Sequence, residues 1–215
     1  MSEGSESGGL KVNDLLAGAG VGSLDPAQIV CFQSYLSLLL RWNARINLTA
    51  IRDEDSILAR HFVESIACAG ALPLGIKTLL DFGSGAGFPG IPIALCRPDI
   101  AVTLAESAGK KAAFLQEAVR VLGISAKVHS GRAESLTVKF DCVVMRAVDK
   151  MPQAVQAAAQ LIASGGWLVL MTTGTGLPGL QAAAGPTLSW EPAAVQSDSE
   201  DRVIAFARRA VSSQA

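Results

Sequence analysis

Thr78-Leu79-Leu80-Asp81-Phe82-Gly83-Ser84-Gly85-Ala86-Gly87-Phe88-Pro89-Gly90 is the stretch on which the reading of this chain turns. A short apolar run enters glycines at every second position, and a helical pattern follows around Ile91–Leu95. Glycines let the backbone turn tightly and approach a ligand that a Cβ would exclude, and the helix N-terminus behind them offers free N–H groups. The texture this stretch opens continues downstream. Apolar runs at Ala101–Ala105, Ala126–His129, Phe140–Met145 and Trp167–Met171 alternate with helical patterns over Lys110–Leu122 and Pro152–Ile162. Strands buried on both faces read as continuous apolar runs, and their alternation with helices predicts a parallel sheet of βαβ units. Ser189–Val195 and Arg202–Ala207 have only the polar segment Gln196 to Asp201 between them, too short for a helix. They are expected to pair as an antiparallel hairpin on the edge of the sheet.

Upstream the pattern differs. Asp25-Pro26 is a helix-start signal, with Asp as N-cap and Pro at the first helical position. Ile29, Phe32, Leu36, Leu39 and Leu40 then recur on one face out to about Arg45, and a second helix is expected from Ser56 to Ala69. Nothing strand-like precedes Thr78. The expected organisation is therefore a disordered Ser/Gly/Glu-rich tail (1–9), a helical extension (10–75) and an α/β domain (76–215). Of the 215 residues, 50% are hydrophobic and 17% charged, enough for one packed core, and the net charge of -1 excludes a globally basic nucleic-acid clamp. No apolar run has the length of a membrane helix, and the start lacks the order of a signal peptide. Cys31, Cys68, Cys96 and Cys142 are scattered among apolar residues, so they read as buried thiols and not as a metal or disulfide framework. A cytoplasmic protein with no metal site is expected.

Two cofactor classes use a strand, glycine loop and helix in this order. Gly85, Gly87 and Gly90 formally match the GxGxxG of dinucleotide binders, which keeps an NAD-dependent oxidoreductase open. That match leaves Gly83 and Asp81 unexplained and puts Pro89 inside a pyrophosphate loop. An acid two residues before alternating glycines suits S-adenosylmethionine (AdoMet) better, because its methionine carries an ammonium. Glu106, closing the next apolar run, is positioned to accept hydrogen bonds from ribose hydroxyls. Ala133 and Glu134, after the third run, would border an adenine. Arg146, after the fourth, sits at the carboxyl edge of the sheet, where ligands bind in open α/β folds.

These residues belong to three longer segments through which the sequence resembles the RsmG (GidB) family, bacterial 16S ribosomal RNA guanine-N7 methyltransferases. The first is Arg41-Trp42-Asn43 with Asn47-Leu48-Thr49, Arg52-Asp53 and Arg60-His61 through Glu64-Ser65-Ile66. The second is Asp81 through Pro92 with Arg97-Pro98, Glu106-Ser107, Lys110-Lys111 and Phe114-Leu115. The third is Arg132-Ala133-Glu134 and Phe140-Asp141 through Arg146-Ala147. The resemblance implies a Rossmann-like class I methyltransferase sheet with an N-terminal helical extension. It also implies AdoMet as cofactor and, as substrate, a guanine (527 in the usual rRNA numbering) in the 530 loop of 16S rRNA. A near-neutral protein acting on a polyanion is served by a pre-folded surface, so the expected target is the assembled 30S subunit, and a monomer is expected. Carried over, the AdoMet contacts are Gly83, Phe88, Ala133, Glu134 and Arg146, to which the reading of the residues adds Gly85 and Glu106. The chain departs from the family pattern in two places: Thr172-Thr173 stand where a lysine is usual after the fifth strand, and Met145 where serine is.

Guanine N7 has a free lone pair and no proton to lose, so no general base is expected. Orientation can supply most of the acceleration, and Arg146 is the residue expected to help provide it. Glu64 or Asp53 is a candidate for reading guanine's donor edge. Arg41, Arg45, Arg52, Arg60, Lys110 and Lys111 are candidate phosphate contacts, against the plainer reading of solvated helix faces. Trp42 and His61 read as core residues and Asn47 as a turn cap. The rival to the enzyme, besides an oxidoreductase, is a non-catalytic AdoMet-binding ribosome-assembly factor.

Overall fold

The computed structural model describes residues 12–192, 194–197 and 201–211, so the expected tail lies outside the described residues. Residues 12–18 form α1. Asp25 caps α2 (Pro26–Ile46) by accepting from the Gln28 N–H, and Gln28 returns the bond to the Asp25 N–H. This reciprocal capping box satisfies two donors that a helix start leaves open. Asn47, with φ +51°, closes α2 as the turn cap expected of it. The second expected helix is three pieces. α3 (Glu54–Ile57) and α4 (Glu64–Ala71) are joined by a π-helical turn, Leu58–Val63, that carries Arg60 and His61. Such wide turns often accompany functional sites.

Five parallel strands follow as read from the sequence: β1 (Thr78–Phe82), β2 (Ala101–Glu106), β3 (Lys127–Ser130), β4 (Phe140–Arg146) and β5 (Ile162–Thr173). The helices α5 (Gly90–Cys96), α6 (Gly109–Leu122) and α7 (Met151–Leu161) connect them. β5 starts five residues earlier than its apolar run, because Ile162 already pairs with Phe140; Ala163 to Gly166 bulge out of the ladder before Trp167 pairs with Cys142, with Gly165 at φ +74°. α8 (Leu177–Ala184) lacks a readable apolar period and was not expected; it buries Leu180 and Ala184 and packs on α7.

The C-terminal hairpin forms with one correction. The expected strand Ser189–Val195 is broken at Glu191-Pro192 into β6 (Leu188–Trp190) and β7 (Ala194–Ser197). Proline has no N–H to give a ladder, so the strand interrupts there. Both pieces pair antiparallel with β8 (Arg202–Arg209), which itself pairs antiparallel with β5. The sheet order is β3-β2-β1-β4-β5-β8-β6, with β7 also on β8.

The helical extension is a covering layer of the sheet. One hydrophobic cluster runs from Leu16, Phe32, Tyr35 and Leu39 through Leu79, Leu104 and Phe114 to Ile204 and Phe206. Trp42 joins α2 to α6, donating from Nε1 to Glu117 at 3.0 Å and meeting the Phe114 ring edge-on; it is half-buried and packs against the core rather than inside it. Met145 is fully buried. Cys68 and Cys142 are buried thiols, whereas Cys31 and Cys96 are only half-buried, a correction: an apolar neighbourhood in sequence does not fix which side of a helix a residue takes.

Candidate active site

A cavity of about 770 Å³ opens at the carboxyl ends of the parallel strands. Gly83, Gly85, Phe88, Glu106, Ala133, Glu134 and Arg146 all line it. They come from four strand ends, β1 to β4, brought together by the register that sets Phe82 beside Ala105 and Glu106 beside Ser130. This volume is in the range of small-molecule sites.

The glycine loop is shaped by close packing as much as by turning. A Cβ on Gly90 would collide with Leu104 and lie 2.5 Å from Asp81 Oδ2. One on Gly87, where φ is +92°, would lie 2.8 Å from the Tyr35 hydroxyl. Glu106 spans the cavity floor: one oxygen accepts from the Gly85 N–H at 2.9 Å and the other from the Ala108 N–H at 2.7 Å. Ala133 is buried at the start of a 3-10 turn, and the exposed Glu134 pairs with Arg132 at 3.1 Å.

Asp81 is a correction. It was read as the acid facing a cofactor ammonium, but it does not line the cavity. Its side chain turns under the loop, where Oδ2 accepts from the Gly90 N–H at 3.0 Å and Oδ1 has no hydrogen-bond partner. Burial pushes its pKa up to about 7, against the lowering effects of the Gly90 bond and the Arg146 charge. It ties β1 to the start of α5.

Arg146 lies at the back of the cavity, its side chain only 9% exposed. Its Nη2 donates to the Arg60 carbonyl at 2.6 Å and pairs with Glu64 at 3.0 Å, while Nη1 is buried without a partner. Burial lowers its pKa, and the Glu64 carboxylate opposes that. Glu64 is thus committed to Arg146, and Asp53 is an exposed N-cap bonded to the Ser56 N–H. Neither carboxylate lines the cavity. The Asp53 cap is local, whereas the pairing of Glu64 with Arg146 depends on where α4 meets the sheet and is not readable from the helical pattern.

His61 lines the cavity as well, which its reading as a core residue missed. Its ring stacks on Phe88 with centroids 4.8 Å apart, and its Nε2 lies 2.7 Å from Thr49 Oγ1. Burial, then the charges of Arg146 and Arg60, lower its pKa to about 3, so the imidazole is neutral. Thr49 is held by Asn43, whose Oδ1 accepts the Thr49 N–H at 2.9 Å. Tyr35, also missed, donates to the Ala86 carbonyl at 2.6 Å. Of the candidate phosphate contacts, Lys111 lines the cavity, Arg41, Arg45, Arg52 and Lys110 are exposed outside it, and Arg60 is half-buried beside Arg146. Arg132 and Lys150 line the mouth without having been singled out for that role. Thr172 and Thr173 do not line it; Thr173 Oγ1 accepts from the Gly176 N–H at 3.1 Å in the turn after β5. Among the described residues no cluster of His, Cys, Asp and Glu is arranged to hold a metal, and no helix is long and apolar enough to cross a membrane.

Comparison with known proteins bears on the same region. Residues 28–177 match the family model described as GidB, rRNA small subunit methyltransferase G. The ribosomal RNA small subunit methyltransferase G of Xylella fastidiosa strain M23 is 43% identical over 161 residues, covering 74% of this chain and 75% of that one. The protein of that name from Neisseria meningitidis strain Z2491 is 42% identical over 140 residues, covering 64% and 67%. Among solved structures, a putative O-methyltransferase from Klebsiella pneumoniae superimposes with a TM-score of 0.63 at 18% identity, covering 97% of this chain and 100% of that one. An O-methyltransferase from Bacillus cereus, solved with SAH, gives a TM-score of 0.59 at 18% identity over 82% and 91%. These two likenesses establish the Rossmann-like α/β fold.

Proposed function

The chain belongs to the rRNA small subunit methyltransferase G family, and on that footing we propose that it transfers a methyl group from AdoMet to N7 of a guanine, number 527 in the 530 loop, of 16S rRNA. The observation that carries this reading is the convergence of seven sequence-selected residues on one cavity at the carboxyl edge of the sheet. The cavity fits the cofactor. Glu106 and Glu134 are acceptors suited to hydroxyls and an amino group, Gly83 and Gly85 admit close backbone approach, and Arg146 keeps an unpaired donor for an anion. When bound, AdoMet supplies an electrophilic methyl on a sulfonium.

The residues present do what this chemistry needs. Guanine N7 has no proton to lose, so no base is needed; His61, with its pKa held down to about 3, is a weak one, and Asp81 is turned away from the cavity. The work left to the protein is to hold the base in line, which orientation alone can accelerate strongly. The buried bonds of Arg146 to Glu64 and to the Arg60 carbonyl make that part of the wall rigid. Lys111, Arg132 and Lys150 at the mouth suit a polyanion.

The test is incubation with methyl-labelled AdoMet and unmethylated 30S subunits, with the product mapped by N7-methylguanine-specific strand cleavage. A single cleavage in the 530 loop is expected, with faster transfer to 30S subunits than to free rRNA. Label elsewhere would move the target, and no label despite AdoMet binding would favour the non-catalytic assembly factor.

A further inference from the structure

Two buried nitrogens in the cavity wall have no hydrogen-bond partner: Nη1 of Arg146 and Nδ1 of His61. Buried polar groups in native proteins are seldom left so, and two of them on residues that line one cavity point to a ligand group that satisfies both. Arg146 Nη1 can only donate. The character of His61 Nδ1 follows from its other nitrogen. Thr49 Oγ1 accepts the Ile51 N–H at 3.2 Å and lies 2.7 Å from His61 Nε2, so its hydroxyl proton is available to that nitrogen. With Nε2 accepting, the neutral ring carries its own proton on Nδ1, and this nitrogen too is a donor.

Two donors, one of them charged, select an acceptor-only anion. We propose that His61 and Arg146 together receive the α-carboxylate of AdoMet, with Thr49 fixing the His61 tautomer; this rests on the methyl-donor reading above. Guanine is the poorer fit. Its N7 must stay free to take the methyl group, and its Watson–Crick edge presents mostly donors. The wide turn Leu58–Val63 brings His61 against Phe88, directly after the glycine loop, so the anion-binding end of the cavity is built by the helical layer and the sheet together. The ring is neutral through the physiological range because burial and two guanidiniums hold its pKa down to about 3.

The experiment is calorimetric titration of the full chain with S-adenosylhomocysteine and with 5′-methylthioadenosine, which shares the nucleoside and thioether but lacks the amino-acid carboxylate. His61→Phe keeps an aromatic ring against Phe88 and removes the donor. It is expected to weaken S-adenosylhomocysteine binding about tenfold or more while leaving methylthioadenosine binding unchanged. His61→Asn, whose amide can occupy the Nδ1 position, is expected to restore most of the selectivity; His61→Gln, which mimics Nε2, is not. Equal loss for both ligands would overturn the proposal in favour of a stacking wall. So would no loss for either, with or without a raised KM for 30S subunits. Methylthioadenosine binding itself reports that each variant is folded. A wild-type chain that bound neither ligand would instead remove the methyl-donor reading, a separate outcome.

Discussion

The Tyr35 hydroxyl donates to the Ala86 carbonyl at 2.6 Å, joining the middle of α2 to the tip of the glycine loop across 51 residues of sequence. Both groups are buried, and the Tyr35 ring also packs on Phe62 and Phe88 with centroids 5.2 Å away in each case. The helical layer therefore holds the loop in its ligand-ready shape. Burial, reinforced by the nearby Asp81 charge, raises the Tyr35 pKa well above its ordinary value, so the hydroxyl stays a donor.

Tyr35→Phe keeps the ring and strands the Ala86 carbonyl. The expected cost is about 1–2 kcal/mol of stability, a Tm lower by roughly 2–4 °C per kcal/mol for a chain of this size. S-adenosylhomocysteine affinity should fall with it. Thermal unfolding and titration calorimetry check both, and an unchanged affinity would mean that the loop holds its shape alone.

Gly90→Ala places a methyl group against Leu104 and the Asp81 carboxylate, both rooted in β strands that cannot retreat. Overpacking of this kind costs about 1–3 kcal/mol, and here it also strains the Asp81 bond to the Gly90 N–H. Gly109→Ala is the control: nothing lies within 4 Å of its Cβ position at the start of α6, so stability should hold or rise slightly. Urea denaturation of the two variants should separate them clearly.

Asp81 makes stability depend on pH with a definite sign. Its folded pKa of about 7 lies above the ordinary value of 3.8, so the folded state holds the proton more tightly. The contribution is complete below about pH 4 and is lost as pH rises towards 7, after which it changes no further. Asp81→Asn removes the ionisation. The Tm difference between Asp81→Asn and wild type should therefore grow in favour of the variant between pH 5 and pH 8. A difference constant with pH would show that Asp81 titrates normally.

Arg146→Ala takes from the Glu64 carboxylate the guanidinium it pairs with at 3.0 Å, where the two side chains are only 9% and 13% exposed. Breaking such a pair from one side typically costs about 3–5 kcal/mol. Glu64→Gln in the same background should recover part of that stability, because a neutral amide costs less to bury than a carboxylate, without restoring methyl transfer or cofactor affinity. Melting curves and labelled-methyl assays on the single and double variants separate the structural from the functional share.

Much of this arrangement was legible in the chain itself. The β1–glycine–α5 unit, the acid closing β2, the Ala133-Glu134 pair and the arginine closing β4 are all read from neighbours in sequence, because apolar runs and glycines set strand ends locally. α8 was missed because Leu177–Ala184 is almost uniformly apolar and small, which hides a helical period. The division of the expected Ser189–Val195 strand is hidden because its apolar pattern runs through the one proline that breaks it.

What the sequence by itself determined is therefore the order of elements and the identity of the strand-end residues, since both rest on short-range periodicity and backbone preference. Only the tertiary structure decided which way the side chains near those ends point. It turned Asp81 under the loop, where Gly90 leaves room for a carboxylate. It committed Glu64 to Arg146 and set the Arg60 carbonyl against the same guanidinium across 86 residues. It brought His61 and Thr49 out of a helical layer and into the cavity wall. Such contacts depend on how the helices dock on the sheet, a packing choice made by the apolar faces of both layers at once and written in no local stretch of either.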